Sequence, residues 1–178
     1  MKKIIIFLII LVALGFVGCY MWINMGLSQA VSEKTLNISY DEFMYDENIQ
    51  RLDLQMEKTY EGGPLFDEDT FYEAKKVNNN IERKIRIIVD SSTKELEQIS
   101  IHYDINENKE LLSAQLDASL FAEFFSSCID KNRTEEVSLS ITKLIMNPND
   151  IMKSFISNGI EYSVGLIDGF AFVIAPEN

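Results

Sequence analysis

The sequence predicts an α+β protein: an N-terminal membrane anchor helix, then one outer domain in which helices pack on one face of an antiparallel sheet. Three observations predict this class. An apolar run fills residues 4–23, apolar residues alternate with polar ones over 81–105, and they recur every fourth residue over 112–128. A further alternating stretch near the C-terminus predicts a second hairpin, so we expect a sheet of two hairpins with four or five strands.

The apolar run predicts the anchor. Residues 4–23 contain no charge, Asn or Gln, and Lys2 and Lys3 precede them. At about 1.5 Å per residue, a helix of this length spans about 30 Å, the thickness of the hydrocarbon core of a bilayer. The two lysines favour a cytoplasmic N-terminus. We therefore expect a single-pass protein of the cell membrane whose C-terminal domain lies outside the cytoplasm, either periplasmic or extracellular.

Three interpretations of this run stay open. As an uncleaved transmembrane helix, it carries Tyr20 and Trp22 at its outer interface. As a lipoprotein signal, it would be acylated at Cys19 after Phe16-Val17-Gly18, although apolar residues follow that cysteine. As an ordinary signal peptide, it would be cleaved near Ser28-Gln29-Ala30, although the run is long for that role.

The charge of the chain limits its partners. In every interpretation residues 1–27 are the anchor or signal segment, and residues 28–178 form a single extracytoplasmic domain. The chain has 28 acidic and 16 basic residues, and the only charges before Glu33 are Lys2 and Lys3. The outer domain is therefore strongly acidic, which excludes nucleic acid as a natural partner and disfavours contact with anionic lipid.

The acidic residues are concentrated in one segment, from Asp41 to Glu73. It holds eleven acidic residues against Arg51 and Lys58 alone. This excess is larger than solubility requires of a small domain, and it predicts a recognition surface for a basic protein partner. The candidate partner-binding residues are Asp41, Glu42, Asp46, Glu47, Asp53, Glu57, Asp67, Glu68 and Asp69. The alternative is that these carboxylates are only the solvated face of a helix.

Within this segment the spacing predicts a helix from Tyr40 to Tyr60. Ser39 and Glu42 form a capping box, and apolar residues follow at helical intervals until Gly62-Gly63-Pro64 ends the pattern. A short helical turn is expected at 67–70 and a loop at 78–80.

The middle of the chain predicts a hairpin and a long helix. Strands are expected over Ile81–Val89 and Ile99–Ile105, with a turn at 90–93. A helix is expected from Glu107 to Ile129, because an apolar stripe recurs every four residues. This stripe, predicted to face the core, consists of Leu112, Leu116, Leu120, Phe124 and Cys128, with Phe121 and Phe125 beside it.

The last third predicts two further elements and leaves one undecided. Residues 134–146 fit a strand and a helix equally well. Residues 148–158 are expected to form a short helix that ends at Asn158-Gly159. Strands over 160–167 and 170–175 are joined by Asp168-Gly169, a strong hairpin signal.

The sequence offers few residues for chemistry. His102 is the single histidine and is out of phase with the apolar face of its strand, whereas Cys128 is in phase with the apolar stripe of its helix. The two are therefore not expected to converge as a nucleophile and base. Residues 67–69 with Glu73 lack the spacing of a calcium loop, so no metal or cofactor is predicted. With only Cys19 as a second cysteine, a disulfide within the outer domain is impossible.

These patterns favour a membrane-anchored, extracytoplasmic and non-catalytic binding module that engages a basic protein partner through its acidic face. Neutralisation of a toxin and docking within an envelope complex are two concrete forms of this function. The alternative is a small envelope enzyme that uses carboxylates or a bound metal.

Overall fold

In the part of the chain that the structure describes, seven strands form one antiparallel sheet with the order β1-β2-β3-β4-β7-β6-β5. The computed structural model describes residues 34–61, 69–78, 81–105, 108–149, 151–166 and 168–177. The predicted anchor or signal segment, 1–27, lies outside these residues. Residues 34–178 form one compact unit.

The elements follow one another from an N-terminal helical segment to a C-terminal strand. In chain order they are α1 (Tyr40–Tyr45), α2 (Glu47–Gln50), β1 (Glu57–Tyr60), β2 (Thr70–Asn78), β3 (Ile81–Val89), β4 (Leu96–Asp104), α3 (Asn108–Ile129), α4 (Glu135–Ile145), β5 (Lys153–Ser157), β6 (Ile160–Leu166) and β7 (Phe170–Pro176). The α+β class is confirmed, but the sheet has seven strands where the sequence predicts four or five.

The core lies between one face of the sheet and the helices. Alternate residues of the central strands are buried on this face, as the period of two predicts, and they pack with apolar residues of α3 and α4. Ile101 of β4 and Phe172 of β7 are directly opposite each other and fully buried. Burial of each such side chain contributes about 1.5–3 kcal/mol, which makes this layer the main source of stability.

The long helix is confirmed, but the prediction of its buried face is right only for Cys128, Phe121 and Phe125. Leu112, Leu116 and Leu120 are 54%, 60% and 50% exposed, and Phe124 is half-buried. The inner face is instead formed by Ala114, Ala118, Phe121, Phe125 and Cys128. The two alanines allow the helix backbone to approach the sheet, and the two phenylalanines fill the remaining volume.

The predicted helix from Tyr40 to Tyr60 is also wrong in its length. Ser39 caps α1 as predicted and accepts a hydrogen bond of 3.1 Å from the Glu42 amide. Asp46 then adopts an extended conformation and caps α2, which interrupts the helix. After Asp53, in the left-handed region with φ of 48°, the chain turns into β1.

Two more segments differ from expectation. The helical turn predicted at 67–70 is wrong at Thr70, where β2 begins, and residues 67 and 68 lie outside the described residues. The loop predicted at 78–80 is wrong at Asn78, the last residue of β2, and residues 79 and 80 are not described.

The short helix predicted at 148–158 is wrong, because Lys153–Ser157 is the edge strand β5. Asn158 and Gly159 do have positive φ angles, of 53° and 76°, but they form the two-residue turn to β6 instead of ending a helix. The undecided segment is helical: Thr134 caps α4 and accepts a hydrogen bond from the Val137 amide. Both predicted hairpins, β3–β4 and β6–β7, are confirmed.

Candidate functional site

The predicted acidic surface is grouped mainly on the N-terminal helices. Asp41 and Glu42 lie on α1 and Glu47 on α2, all with exposed side chains. Asp53 and Glu57 follow and are exposed as well. These five residues are called the acidic surface below.

Four residues of the acidic surface carry unneutralised charge. Glu42 pairs with Lys131 across 3.3 Å, and both side chains are well exposed. Among the described residues, Asp41, Glu47, Asp53 and Glu57 form no ion pair. An exposed ion pair such as Glu42–Lys131 contributes at most about 1 kcal/mol, so it does not commit Glu42 to a structural role.

Two other predicted residues, Asp46 and Asp69, have half-buried side chains. Asp46 is half-buried and accepts a hydrogen bond of 2.9 Å from the Asn48 amide, so its role is to cap α2. Asp69 is half-buried just before β2. Asp67, Glu68 and Cys19 lie outside the described residues.

A partly buried polar cluster, absent from the sequence predictions, lies between the sheet and α3. Arg83 of β3 and Asp117 of α3 form an ion pair of 2.7 Å, in which the Arg83 side chain is 12% exposed and the Asp117 side chain 35% exposed. The Tyr103 hydroxyl donates to the same Asp117 oxygen across 2.9 Å. Burial and the adjacent carboxylate raise the pKa of Tyr103 well above its ordinary range, so the phenol stays protonated as a donor. The Arg83 guanidinium also lies 4.2 Å from the centre of the Phe121 ring.

This cluster forms one wall of a small cavity of about 50 Å³. Its inner lining includes the buried residues Ile81, Tyr103 and Ala114, and its rim includes the exposed residues Lys76 and Ser113. The cavity is therefore open to solvent on the side that carries the Lys76 ammonium group and the Ser113 hydroxyl. These are groups that donate hydrogen bonds to anions.

A second charged cluster lies on the opposite, open face of the sheet. Glu73 of β2 pairs with Lys84 across 3.0 Å and with Arg86 across 2.7 Å. Partial burial raises the pKa of Glu73, but the hydrogen bonds and charges of Lys84 and Arg86 outweigh this effect and lower the pKa below its ordinary value. Glu73 and Arg86 also line a shallow recess of about 320 Å³ beside Tyr60 and Phe71.

A third cluster closes the C-terminal end of α3. Arg133 donates to the carbonyl of Glu123 across 3.3 Å and to the buried Ser126 hydroxyl. Asp130, itself buried, accepts a hydrogen bond of 2.9 Å from the Asn158 side chain. These contacts satisfy polar groups at a helix end, which is a structural role.

The residues considered for nucleophilic chemistry are separated by the sheet, as expected. His102 is partly exposed on the open face, where its Nε2 lies 2.9 Å from the carbonyl oxygen of Asp168. Cys128 is buried on the inner face.

Within the described ranges, no group of three or more His, Cys, Asp or Glu residues could hold a metal ion. No helix in those ranges has the length and apolar character to cross a membrane.

The sequence contained part of the signal for the partly buried cluster. Arg83 falls in phase with Ile81 and Ile85 on β3, and a cation at an inward position needs a buried partner. The partner cannot be identified from the pattern, because the order of the residues does not show which acidic residue of α3 lies opposite Arg83.

Comparison of this chain with protein-family models, with curated proteins and with solved structures found no match.

Proposed function

We propose that this protein is a membrane-anchored, extracytoplasmic binding module that captures a basic protein partner through the acidic surface, without catalysis. The observation that carries the proposal is the unneutralised charge of Asp41, Glu47, Asp53 and Glu57, all exposed on one N-terminal segment. Carboxylates that form no internal ion pair attract a cationic partner and raise its rate of encounter.

The anchor part of the proposal is supported by the apolar run at 4–23 and the two lysines before it. A tethered domain meets its partner at the membrane surface. This arrangement suits both toxin neutralisation and docking within an envelope complex, since the tether holds the acidic surface where such partners arrive.

The structure allows a sharper test than charge reversal across the whole segment. Asp46 is unsuitable for mutation because it caps α2. The test variant instead combines Glu47→Gln, Asp53→Asn and Glu57→Gln, which remove charge with almost no change in shape. A matched control removes three exposed charges elsewhere, with Glu82→Gln, Asp104→Asn and Glu136→Gln.

Both variants and the unmodified chain are expressed in membranes, solubilised in detergent and used to capture partners, which mass spectrometry then identifies. The test variant should lose the cationic partners that the unmodified chain and the control retain. Capture should also weaken between low salt and about 0.15 M salt, where the Debye length is about 8 Å. Equal capture by all three chains at every salt concentration would refute the acidic surface as the binding site.

A separate experiment tests the anchor. Alkaline phosphatase fused after Asn178 should be active if the domain lies outside the cytoplasm. Labelling with a palmitate analogue that disappears in Cys19→Ser would identify a lipoprotein anchor. An inactive phosphatase fusion, together with activity of a reporter that works only in the cytoplasm, would overturn the proposed location.

A further inference from the structure

We propose that the cavity beside Arg83 binds a small oxyanion, a carboxylate or a phosphate, held by Lys76, Arg83 and Ser113. This inference does not depend on the acidic surface, from which it differs in location and in the sign of its charge. It rests on the local charge, the hydrogen-bond donors and the size of the cavity.

The charge of the β2–β3 hairpin is opposite to that of the chain. Two like-charged pairs lie directly across from each other, Lys75 with Lys84 on the open face and Lys76 with Arg83 on the helix side. Like charges in this position destabilise a sheet. Glu73 forms ion pairs with Lys84 and with Arg86, and Asp117 forms an ion pair with Arg83.

Each pair therefore retains one cation without an ion pair among the described residues, Lys75 on one face and Lys76 on the other. Of the two, only Lys76 lines the cavity. An anion bound there would relieve the repulsion between Lys76 and Arg83.

The donors around the cavity remain available to a ligand. The Arg83 Nη1 atom donates to Asp117, but a guanidinium has five N–H groups, so others are left. Lys76 contributes an ammonium group and Ser113 a hydroxyl. The one carboxylate in the lining, Asp117, is already paired with Arg83 and accepts from Tyr103, so its repulsion of an anion is reduced.

The cluster also holds Arg83 in place before any ligand arrives. Its ion pair with Asp117 and its contact with the Phe121 ring fix the guanidinium at the cavity wall. A preorganised donor loses little side-chain entropy on binding, which favours affinity.

The volume of the cavity selects the class of ligand. A single water needs roughly 10–15 Å³ of such space. A cavity of about 50 Å³ therefore has room for about three to five non-hydrogen atoms, each counted as one water. A carboxylate or a phosphate group is of this size. Larger organic molecules could enter only through such a group, with the remainder outside the rim.

The test measures binding of inorganic phosphate and of acetate to the full chain in detergent, by calorimetry and by thermal unfolding, with chloride at equal ionic strength as the reference. At least one anion should bind saturably and raise the Tm. Binding of phosphate but not acetate would assign a phosphate site, and the converse would assign a carboxylate site. If neither anion raises the Tm above the chloride reference, the proposal is wrong.

Neighbouring lysines on the same strand provide the control. Lys76→Ala should raise the Kd at least about tenfold, because one charge-assisted hydrogen bond is lost. Lys75→Ala, which changes the net charge equally but lies on the opposite face, should leave Kd within about twofold. Ser113→Ala, at a second exposed position of the rim, should weaken binding without any change in net charge. If Lys75→Ala and Lys76→Ala have equal effects, the anion responds only to overall charge and the cavity is not its site.

Discussion

The carboxylate of Asp46 lies beside the thiol of Cys128 and interacts with it, which links the N-terminal acidic segment to the core helix α3. The Asp46 carboxylate therefore has two structural contacts, one with this thiol and one with the amide of Asn48. Its position among acidic neighbours in the sequence does not reflect a shared role with them.

The contact predicts that Cys128 is unreactive. Burial, and then the neighbouring Asp46 carboxylate, raise the pKa of the Cys128 thiol to about 12, so the thiolate is scarce at neutral pH. In a Cys19→Ser background, where Cys128 is the one remaining thiol, iodoacetamide at pH 8 should label the folded protein very slowly and the unfolded protein rapidly. Rapid labelling without denaturant would show that the inner face of α3 is assigned incorrectly.

The orientation of α3 predicts that two truncations on this helix differ strongly in their effect on stability. Phe125→Ala removes a fully buried ring and should lower the free energy of unfolding by about 3–5 kcal/mol. Leu116→Ala removes a side chain that is mostly exposed and should change it by no more than about 0.5 kcal/mol. Chemical denaturation measures both values. A larger cost for Leu116→Ala than for Phe125→Ala would mean that the leucine stripe is the buried one.

Two buried tyrosines should respond differently to loss of the hydroxyl. The Tyr103 hydroxyl donates to Asp117, so Tyr103→Phe should destabilise the protein by about 1.5–3 kcal/mol, the range for a hydrogen bond to a charged group. The Tyr162 hydroxyl is buried and has no hydrogen-bond partner among the described residues. Tyr162→Phe should therefore leave stability unchanged or raise it by about 1 kcal/mol. If Tyr162→Phe proves the more destabilising substitution, the Tyr162 hydroxyl has a partner after all.

The ion pairs of Glu73 predict a dependence of stability on pH. Because Lys84 and Arg86 lower the pKa of Glu73 in the folded state, its carboxylate stabilises the fold above the unfolded pKa of about 4.3. This contribution is lost as the pH falls through the lower, folded pKa. The unmodified chain should have a larger free energy of unfolding than Glu73→Gln. This difference should be constant above about pH 5 and vanish in more acidic solution.

A control for this dependence lies on the next strand. Glu82 is exposed and forms no ion pair among the described residues. The difference in the free energy of unfolding between the unmodified chain and Glu82→Gln should show no comparable change over the same pH range. If the unmodified chain remains more stable than Glu73→Gln by the same amount down to pH 2, the role assigned to the ion pairs is contradicted.

The sequence predicted those elements whose signals are local. Ser39 is a cap as its residue type predicts, and the hairpins β3–β4 and β6–β7 follow from alternation and from Asp168-Gly169. The edge strand β1 was missed because all four of its residues are exposed, so burial imposes no period on them. In β5, only Phe155 packs against the core, which is too little to distinguish a strand from a helix.

The error at α3 also explains why the partly buried cluster was missed. Apolar residues occur on both sides of this helix, and the leucines give the stronger pattern even though the alanines allow closer packing. The rotation that exposes Leu116 is the one that brings Asp117 to Arg83. Such a pairing depends on tertiary packing and has no signal in the order of the residues.

The strand order has a consequence for how the chain folds. Every described strand pair except β4–β7 joins strands that are consecutive in the chain, so most of the sheet can form from local contacts. The β4–β7 seam, where Ile101 meets Phe172, must close the longest loop and bears the largest entropic cost. At this seam a Cβ on Gly169 would lie 2.3 Å from the carbonyl oxygen of Tyr103, so any larger residue there obstructs closure. We expect folding to be limited by docking of two preformed meanders, and Gly169→Ala to slow refolding more than it speeds unfolding.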